Sequence, residues 1–133
     1  MMRVLQPAGW PKPSGYANGI VAGGDCVFVG GQIGWNADGR FAVGLAGQVG
    51  QALANIAAVL AEANALPADI VRLTWFVVDV EDYIASRQAI GRAYVEAMGK
   101  HFPTMSVIGV SRLVEPAALV EIEATAVLPR PIA

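Results

Sequence analysis

Charged residues are scarce in this chain of 133 residues. Lys, Arg, Asp and Glu together make up 15% of it, whereas about 25% is typical of globular domains. Apolar residues make up 55%, and the mean hydropathy is +0.49. A single small domain with so few charges exposes apolar surface. This indicates that part of the surface is buried against other copies of the chain.

Cysteine and histidine occur only once each, as Cys26 and His101. One cysteine cannot form a disulfide within the chain, and this pair cannot build a zinc site, so we expect no metal. An excess of positive charge is also lacking. The formal net charge is −2 and the isoelectric point is near 5.2, which gives no electrostatic footprint for nucleic acid.

The segment between Arg40 and Glu62 contains no charged residue, and it is long enough to span a bilayer. Its apolar residues nevertheless recur at helical spacing, while Gln48, Gln51 and Asn55 fall on the other face. Because amides facing lipid are costly, we predict an amphipathic helix over residues 45–64 and no membrane partner. Prolines near the N-terminus interrupt the apolar core that a signal peptide needs, which predicts a cytoplasmic protein.

Hydrophobic periodicity and turn residues predict one domain over residues 1–133, with a surface loop over 1–15 and a core fold over 16–128. The predicted elements are strands 17–21 and 26–32, helix 45–64, strand 70–78, helix 80–99, and strands 104–113 and 118–128. The first two predicted strands are expected to form a hairpin whose turn is Gly23-Gly24-Asp25. This order predicts an α+β sandwich, in which one mixed β-sheet carries two helices on one face. The uncovered face again indicates an oligomer.

A few polar residues are candidates for chemistry, and each has a competing structural interpretation. Glu121 and Glu123 lie two residues apart on the last strand, so they share a face. Either one of them is a general acid or base in a cleft, or both are solvated charges on an open sheet. Cys26 is more typical of a buried small hydrophobe than of a nucleophile, and His101 of a cation at a helix C-terminus than of a catalyst. Arg87 is predicted to point outward.

Six short segments between residues 14 and 128 form a recognisable series. They are Gly15-Tyr16-Ala17-Asn18-Gly19, Val29-Gly30-Gly31-Gln32-Ile33, Gln51-Ala52-Leu53-Ala54-Asn55, Val71-Arg72-Leu73-Thr74-Trp75-Phe76-Val77, Phe102-Pro103 and Val120-Glu121-Ile122-Glu123-Ala124. In this order and spacing they resemble the reactive-intermediate deaminase (Rid) family, also called the YjgF or L-PSP endoribonuclease family. The resemblance implies a chorismate-mutase-like fold, a homotrimer and small-molecule clefts between subunits. It also implies hydrolysis of enamines and imines to a keto acid and ammonia, without a metal or an organic cofactor.

The chain departs from the family pattern at three positions of the implied site. Deaminating members carry an Arg after the Phe-Pro pair that binds the substrate carboxylate, and the matching residue here is Met105. A thioether cannot replace the planar charged fork of arginine. A family Ser matches Gly30, and a family Cys matches Val107. Arg112 lies an odd number of residues after Met105, so on a regular strand it faces the other way, and only a bulge would bring it back.

Three residues of the implied site keep the family pattern. The resemblance implies that Glu121 positions the attacking water, that Gly31 offers backbone groups and that Tyr16 places a hydroxyl at the cleft mouth. We therefore expect a catalytic Glu121, with substrate-binding positions at Tyr16, Gly30, Gly31, Met105 and Val107.

The missing Arg and the apolar replacements predict an enamine or imine deaminase for a substrate other than simple 2-aminoacrylate, larger and more apolar or aromatic. The alternative is a metabolite-binding module of the same fold that has lost catalysis. A ribonuclease or translation inhibitor is the third possibility, and the acidic isoelectric point with sparse Lys speaks against it.

Overall fold

The computed structural model describes residues 2–129 and contains six strands and three α-helices in that range. The strands are β1 (Met2–Leu5), β2 (Gly19–Ala22), β3 (Asp25–Ile33), β4 (Ile70–Val77), β5 (Thr104–Gly109) and β6 (Val120–Leu128). The helices are α1 (Gly44–Ala61), α2 (Val80–Ala85) and α3 (Arg87–Met98), and a short 3-10 turn over Pro67–Asp69 precedes β4.

Four strands form the main sheet, in the order β3-β6-β4-β5. β4 and β5 run parallel, while β6 is antiparallel to both β3 and β4. The sheet is therefore mixed, and the predicted α+β class is confirmed. Along β4 the buried residues alternate with more exposed ones, as expected for a strand that has a covered face and an open face.

Helices α1 and α3 pack against one face of this sheet and enclose the hydrophobic core. α3 contributes Ile90, Tyr94 and Met98, which recur one helical turn apart. α1 buries seven side chains, namely Leu45, Gln48, Val49, Ala52, Leu53, Ile56 and Leu60. α1 is long and apolar enough to cross a membrane by length and composition, but its packing against the sheet is that of a core helix.

The other face of the sheet carries polar and exposed residues. Glu123 and Arg72 are exposed there, and Phe28 is 76% exposed. Among residues 2–129, no helix covers this face, as the sequence predicts. We call it the open face.

The N-terminal region differs from its prediction in two ways. Met2–Leu5 form β1 rather than a loop, and β1 pairs with β2 in a separate two-stranded sheet. The predicted hairpin between the first two predicted strands is therefore wrong, because β3 pairs with β6 instead. In that pairing Val27 and Val29 lie opposite Ala126 and Ala124 on the core face, so this long-range pairing places apolar side chains of both strands in the core.

Several predicted elements are longer than the observed ones. The helix predicted over 80–99 is broken at Ser86 into α2 and α3, where the Ser86 hydroxyl donates to the Asp82 carboxylate over 3.0 Å. Strand β5 ends at Gly109 rather than at residue 113. Arg112 therefore lies beyond the strand, and it lines a separate cavity with Val78 and Leu119.

A buried amide ties α1 to the segment before β6. Gln48 is 3% exposed. Its Nε2 donates to the Ala117 carbonyl over 3.1 Å, and its Oε1 accepts from the Leu119 amide over 2.8 Å. Both ends of the side chain are therefore satisfied, and each partner would lose its hydrogen bond if the amide were removed.

We expect Gln48→Ala to lower the free energy of unfolding by about 1–3 kcal/mol, because it leaves the part-buried Leu119 N–H and Ala117 C=O without partners. Urea denaturation of the variant and the parent protein measures this difference. Gln88→Ala, at an exposed position of α3, is the matched control, with an expected change of about 0.5 kcal/mol or less. Equal stabilities of the two variants would contradict the assignment of Gln48 as a structural bridge.

Candidate functional site

A cavity of about 610 Å³ lies between the β5 edge of the sheet and helices α2 and α3. Its volume is within the range of small-molecule sites. Its lining residues are Ser14, Gly15, Tyr16, Trp75, Tyr83, Arg87, Ile90, Gly91, Tyr94, Phe102, Met105 and Val107. We call it the aromatic cavity, because five of these residues carry aromatic rings.

Tyr16 is held at the mouth of the cavity by the segment that precedes β2. The Ala17 amide donates to the Pro103 carbonyl over 3.0 Å, and Ala17 forms a β-bridge with Thr104. Gly15 has a positive φ of 79°, a conformation that favours glycine. Tyr16 lines the cavity and remains 45% exposed.

Aromatic rings in contact form the inner wall. The rings of Trp75 and Tyr94 stack with centroids 6.3 Å apart, and Tyr94 stacks on Phe102 at 5.4 Å. Tyr83 meets Trp75 edge to face at 6.2 Å. Such arrangements stabilise aromatic pairs and present a firm apolar surface to the cavity.

Hydrogen bonds and burial fix Tyr94 in this wall. The Tyr94 hydroxyl donates to the His101 carbonyl over 2.5 Å, and burial raises the pKa of the Tyr94 phenol. Nε2 of His101 lies 2.7 Å from the Ile70 carbonyl oxygen, so this ring joins the start of β4 to the segment before β5. His101 therefore has a structural partner, and it does not line the cavity.

Met105 and Val107 lie on the core face of β5 at the edge of the sheet. Met105 pairs with Leu73, and Val107 pairs with Trp75. Side chains directly opposite each other on neighbouring strands share a face. Both residues line the aromatic cavity, and neither brings a charge to it.

Glu121 lies on the open face of the sheet. It pairs with Phe76 of β4, and its burial alternates with that of Val120 and Ile122 on the core face. A Cβ atom built on Gly31 would be 2.1 Å from Oε2 of Glu121. The carboxylate therefore rests directly against the Gly31 backbone, in a space that only glycine leaves open. Glu121 is partly buried, whereas Glu123 is exposed.

The register of β3 on β6 shifts between Val29 and Gln32, which places Gly30 and Gly31 in an irregular stretch. Gly30 lines a smaller cavity of about 240 Å³ on the open face, together with Arg72 and Glu123. The strand irregularity thus brings the backbone of the two glycines to the open face.

The predicted site residues consequently fall into two groups on opposite faces of one sheet. Tyr16, Met105 and Val107 line the aromatic cavity, while Gly31 lies against Glu121 on the other face. β4 lies between the two groups and separates β5 from β6. One chain therefore does not bring the carboxylate to the aromatic cavity.

Tyr83, Arg87 and Gly91 line the cavity and were missed by the sequence-based site prediction. Arg87 is exposed, as predicted, yet it borders the cavity. Burial raises the pKa of the Tyr83 phenol, while the nearby Arg87 charge lowers it, so the two groups are close. The signal available in the sequence was the spacing of four between these residues, which puts them on one side of a helix.

Three further residues lie outside the aromatic cavity. Cys26 is exposed on the open face rather than buried, because Val27 and Val29 take the core face of β3. Trp10 and Trp35 do not line the aromatic cavity; Trp35 packs instead against Phe41, with ring centroids 5.5 Å apart. Within residues 2–129, no group of three His, Cys, Asp or Glu side chains is arranged to hold a metal ion.

A mixed sheet with helices on one face and an open second face defines the chorismate-mutase-like α+β class. Within this class, residues 11–128 match the family described as Endoribonuclease L-PSP. The chain belongs to this family, the YjgF or Rid family, as the sequence motifs predict.

Individual relatives agree with this assignment. The chain is 34% identical over 131 residues to a RutC family protein of Synechocystis, covering 96% of this chain and 98% of that protein. It is 37% identical to YyfB, a protein of the Rid family from Yersinia pestis. Its fold matches the crystal structure of YyfB with a TM-score of 0.83, over 96% of this chain and 98% of that one. The YjgF gene product from E. coli is 34% identical, with a TM-score of 0.69 and coverage of 84% and 87%.

Proposed function

We propose that the protein is a cytoplasmic hydrolase that deaminates an enamine or imine more apolar than 2-aminoacrylate. Membership of the Rid family supports the reaction class. The observation that carries the substrate class is the lining of the aromatic cavity, where Met105 and Val107 stand beside five aromatic side chains. A small polar substrate would leave most of this wall unfilled, whereas an aromatic or bulky substrate buries it.

The complete site is proposed to form between subunits of a homotrimer. Glu121 and the aromatic cavity lie on opposite faces of the sheet, so a second copy has to supply the carboxylate. The exposed apolar side chains of Phe28 and Ile108 favour burial of the sheet against that copy. A closed ring of copies then has one cleft at each interface.

The reaction in this cleft is addition of water to the C=N carbon of the protonated imine. Glu121 accepts a proton from the water as it attacks, which gives a neutral carbinolamine. The carboxyl group then returns this proton to the nitrogen; as the C–N bond breaks, the Glu121 carboxylate accepts the proton of the carbinolamine hydroxyl, and ammonia and the ketone are released. The protein supplies a base, a polar backbone at Gly31 and an apolar pocket, and it needs no cofactor for this sequence of steps.

We expect the imine of a bulky aromatic keto acid to be hydrolysed faster than freshly generated 2-aminoacrylate, by roughly tenfold or more in kcat/KM, because the aromatic wall binds its side chain. Ammonia and keto acid release measures both rates, with buffer-catalysed hydrolysis as the blank. Equal or faster turnover of 2-aminoacrylate would contradict the proposed substrate class.

A non-catalytic metabolite-binding protein is the second candidate function. The observation that favours it is the absence of charge at Met105 and Val107 in the cavity. This function predicts no turnover of any imine tested, together with a rise in melting temperature on addition of a small aromatic ligand. Turnover above the blank would exclude it.

A further inference from the structure

We propose that Arg87 binds the anionic group of a ligand whose aromatic body lies against the wall of the aromatic cavity. The inference rests on the proposed function in one respect, namely that this cavity is the substrate-binding half of the site. It names the chemical class of the ligand, an aromatic carboxylate, and a specificity-determining residue.

Arg87 is the only charged residue among the described residues that line the cavity. Its Nε donates to the Ile84 carbonyl of α2 over 3.3 Å, a contact across the break at Ser86 that restricts the side chain. Among residues 2–129, no salt bridge joins its guanidinium to a carboxylate. The terminal nitrogens therefore keep the planar pair of donors that matches a carboxylate.

The Arg87 guanidinium lies beside the aromatic wall of the cavity. The Arg87 charge acts on the pKa of the half-buried Tyr83 phenol, and Tyr83 packs on Trp75. A carboxylate bound by Arg87 would thus lie at the edge of the ring cluster, with the rest of the ligand toward Trp75 and Tyr94. Apolar walls with one fixed polar group are typical of small-molecule sites.

Gly91 leaves room for the ligand next to Arg87. It lies one helical turn after Arg87 in α3 and lines the same cavity. A Cβ atom at Gly91 would have no neighbour within 4 Å, so the position faces open space. Glycine inside a helix is unfavourable by about 1 kcal/mol relative to alanine, and packing within the chain does not require it here. The open space at this position leaves room for a bound group beside Arg87.

The test compares phenylacetate, phenylacetamide and acetate as probes, with dissociation constants from titration calorimetry or NMR shifts. We expect the protein to bind phenylacetate more tightly than phenylacetamide by roughly tenfold, since hydrogen bonds to charged groups are the stronger ones. Acetate, which lacks the ring, should bind weakest. Arg87→Gln should remove the preference for phenylacetate over phenylacetamide, while Arg87→Lys should keep part of it.

Arg92→Gln is the matched control, because Arg92 is exposed on the same helix and does not line the cavity. Its preference should equal that of the parent protein. The inference is overturned if the parent protein does not discriminate between the acid and the amide, or if Arg87→Gln retains the discrimination. Far-UV circular dichroism confirms that the variants are folded.

Turnover assays separate this inference from the proposed function. Carboxylate preference that depends on Arg87, without hydrolysis of any imine, supports the ligand class and rejects the deaminase. Imine hydrolysis with the same KM in the parent and in Arg87→Gln supports the deaminase and rejects the role of Arg87.

Discussion

Glu121→Gln is expected to lower kcat for imine hydrolysis by roughly 100- to 10,000-fold, the range for loss of a general acid–base group. The amide keeps the size of the side chain and its place against Gly31, but it cannot take a proton from water. KM should change little, because the lining of the aromatic cavity, which is proposed to bind the ligand, is unaltered. Steady-state rates of ammonia release, measured on the preferred aromatic imine, give both constants.

Glu123→Gln is the control for this prediction. Glu123 is exposed and lies two residues further along on the same face of β6. Its substitution by glutamine removes the same charge. Its kcat should stay within about twofold of the parent value, in line with the small effects of surface substitutions. Similar losses in the two variants would indicate a general effect of charge on the open face and would reject Glu121 as the catalytic base.

Gly31→Ala is expected to lower kcat by roughly ten- to a hundredfold, because small misplacements of reacting groups have effects of this size. A Cβ at this position would overlap Oε2 of Glu121 at 2.1 Å and its Cδ at 2.7 Å. The carboxylate is the end of a flexible side chain, so it moves away and the backbone stays in place. The loss should therefore appear in kcat, with a melting temperature within a few degrees of the parent value.

Gly23→Ala tests whether any added methyl near β3 has this effect. A Cβ at Gly23 would meet nothing within 4 Å, so this variant should retain the parent kcat. Combining Gly31→Ala with Glu121→Gln gives a sharper measure. If the alanine acts only by moving the carboxylate, it should have little further effect once Glu121 is already an amide. A full additional loss would mean that Gly31 acts independently of Glu121.

The elements with strong periodicity were predictable from the sequence. β6 alternates apolar and polar residues, β4 is rich in β-branched and aromatic residues, and α1 carries its apolar residues along one side, so their types followed from local pattern. The family motifs added the sheet class and the grouping of Glu121 with Gly31. Both rest on features that lie within short stretches of chain.

Strand pairing and the direction in which a side chain points were harder to predict, because both depend on contacts between residues that are distant in the sequence. The four residues of β1 carry no distinctive pattern, and only their pairing with β2 makes them a strand. Arg87 begins α3 directly after the break at Ser86, where α2 ends. No local signal specifies that break, since residues 80–98 are compatible with one continuous helix.

The placement of Glu121 and the aromatic cavity on opposite faces has a genetic consequence in a closed ring of copies. Each chain then serves two different clefts, giving its carboxylate to one and its aromatic wall to the next. A chain with a defective Glu121 removes the carboxylate from one cleft, whereas a chain with a defective aromatic wall removes the binding surface from another. In any ring that contains both, at least one interface joins an intact wall to an intact carboxylate. Two inactive alleles of this kind therefore complement each other within one assembly, whereas two alleles altered on the same face do not.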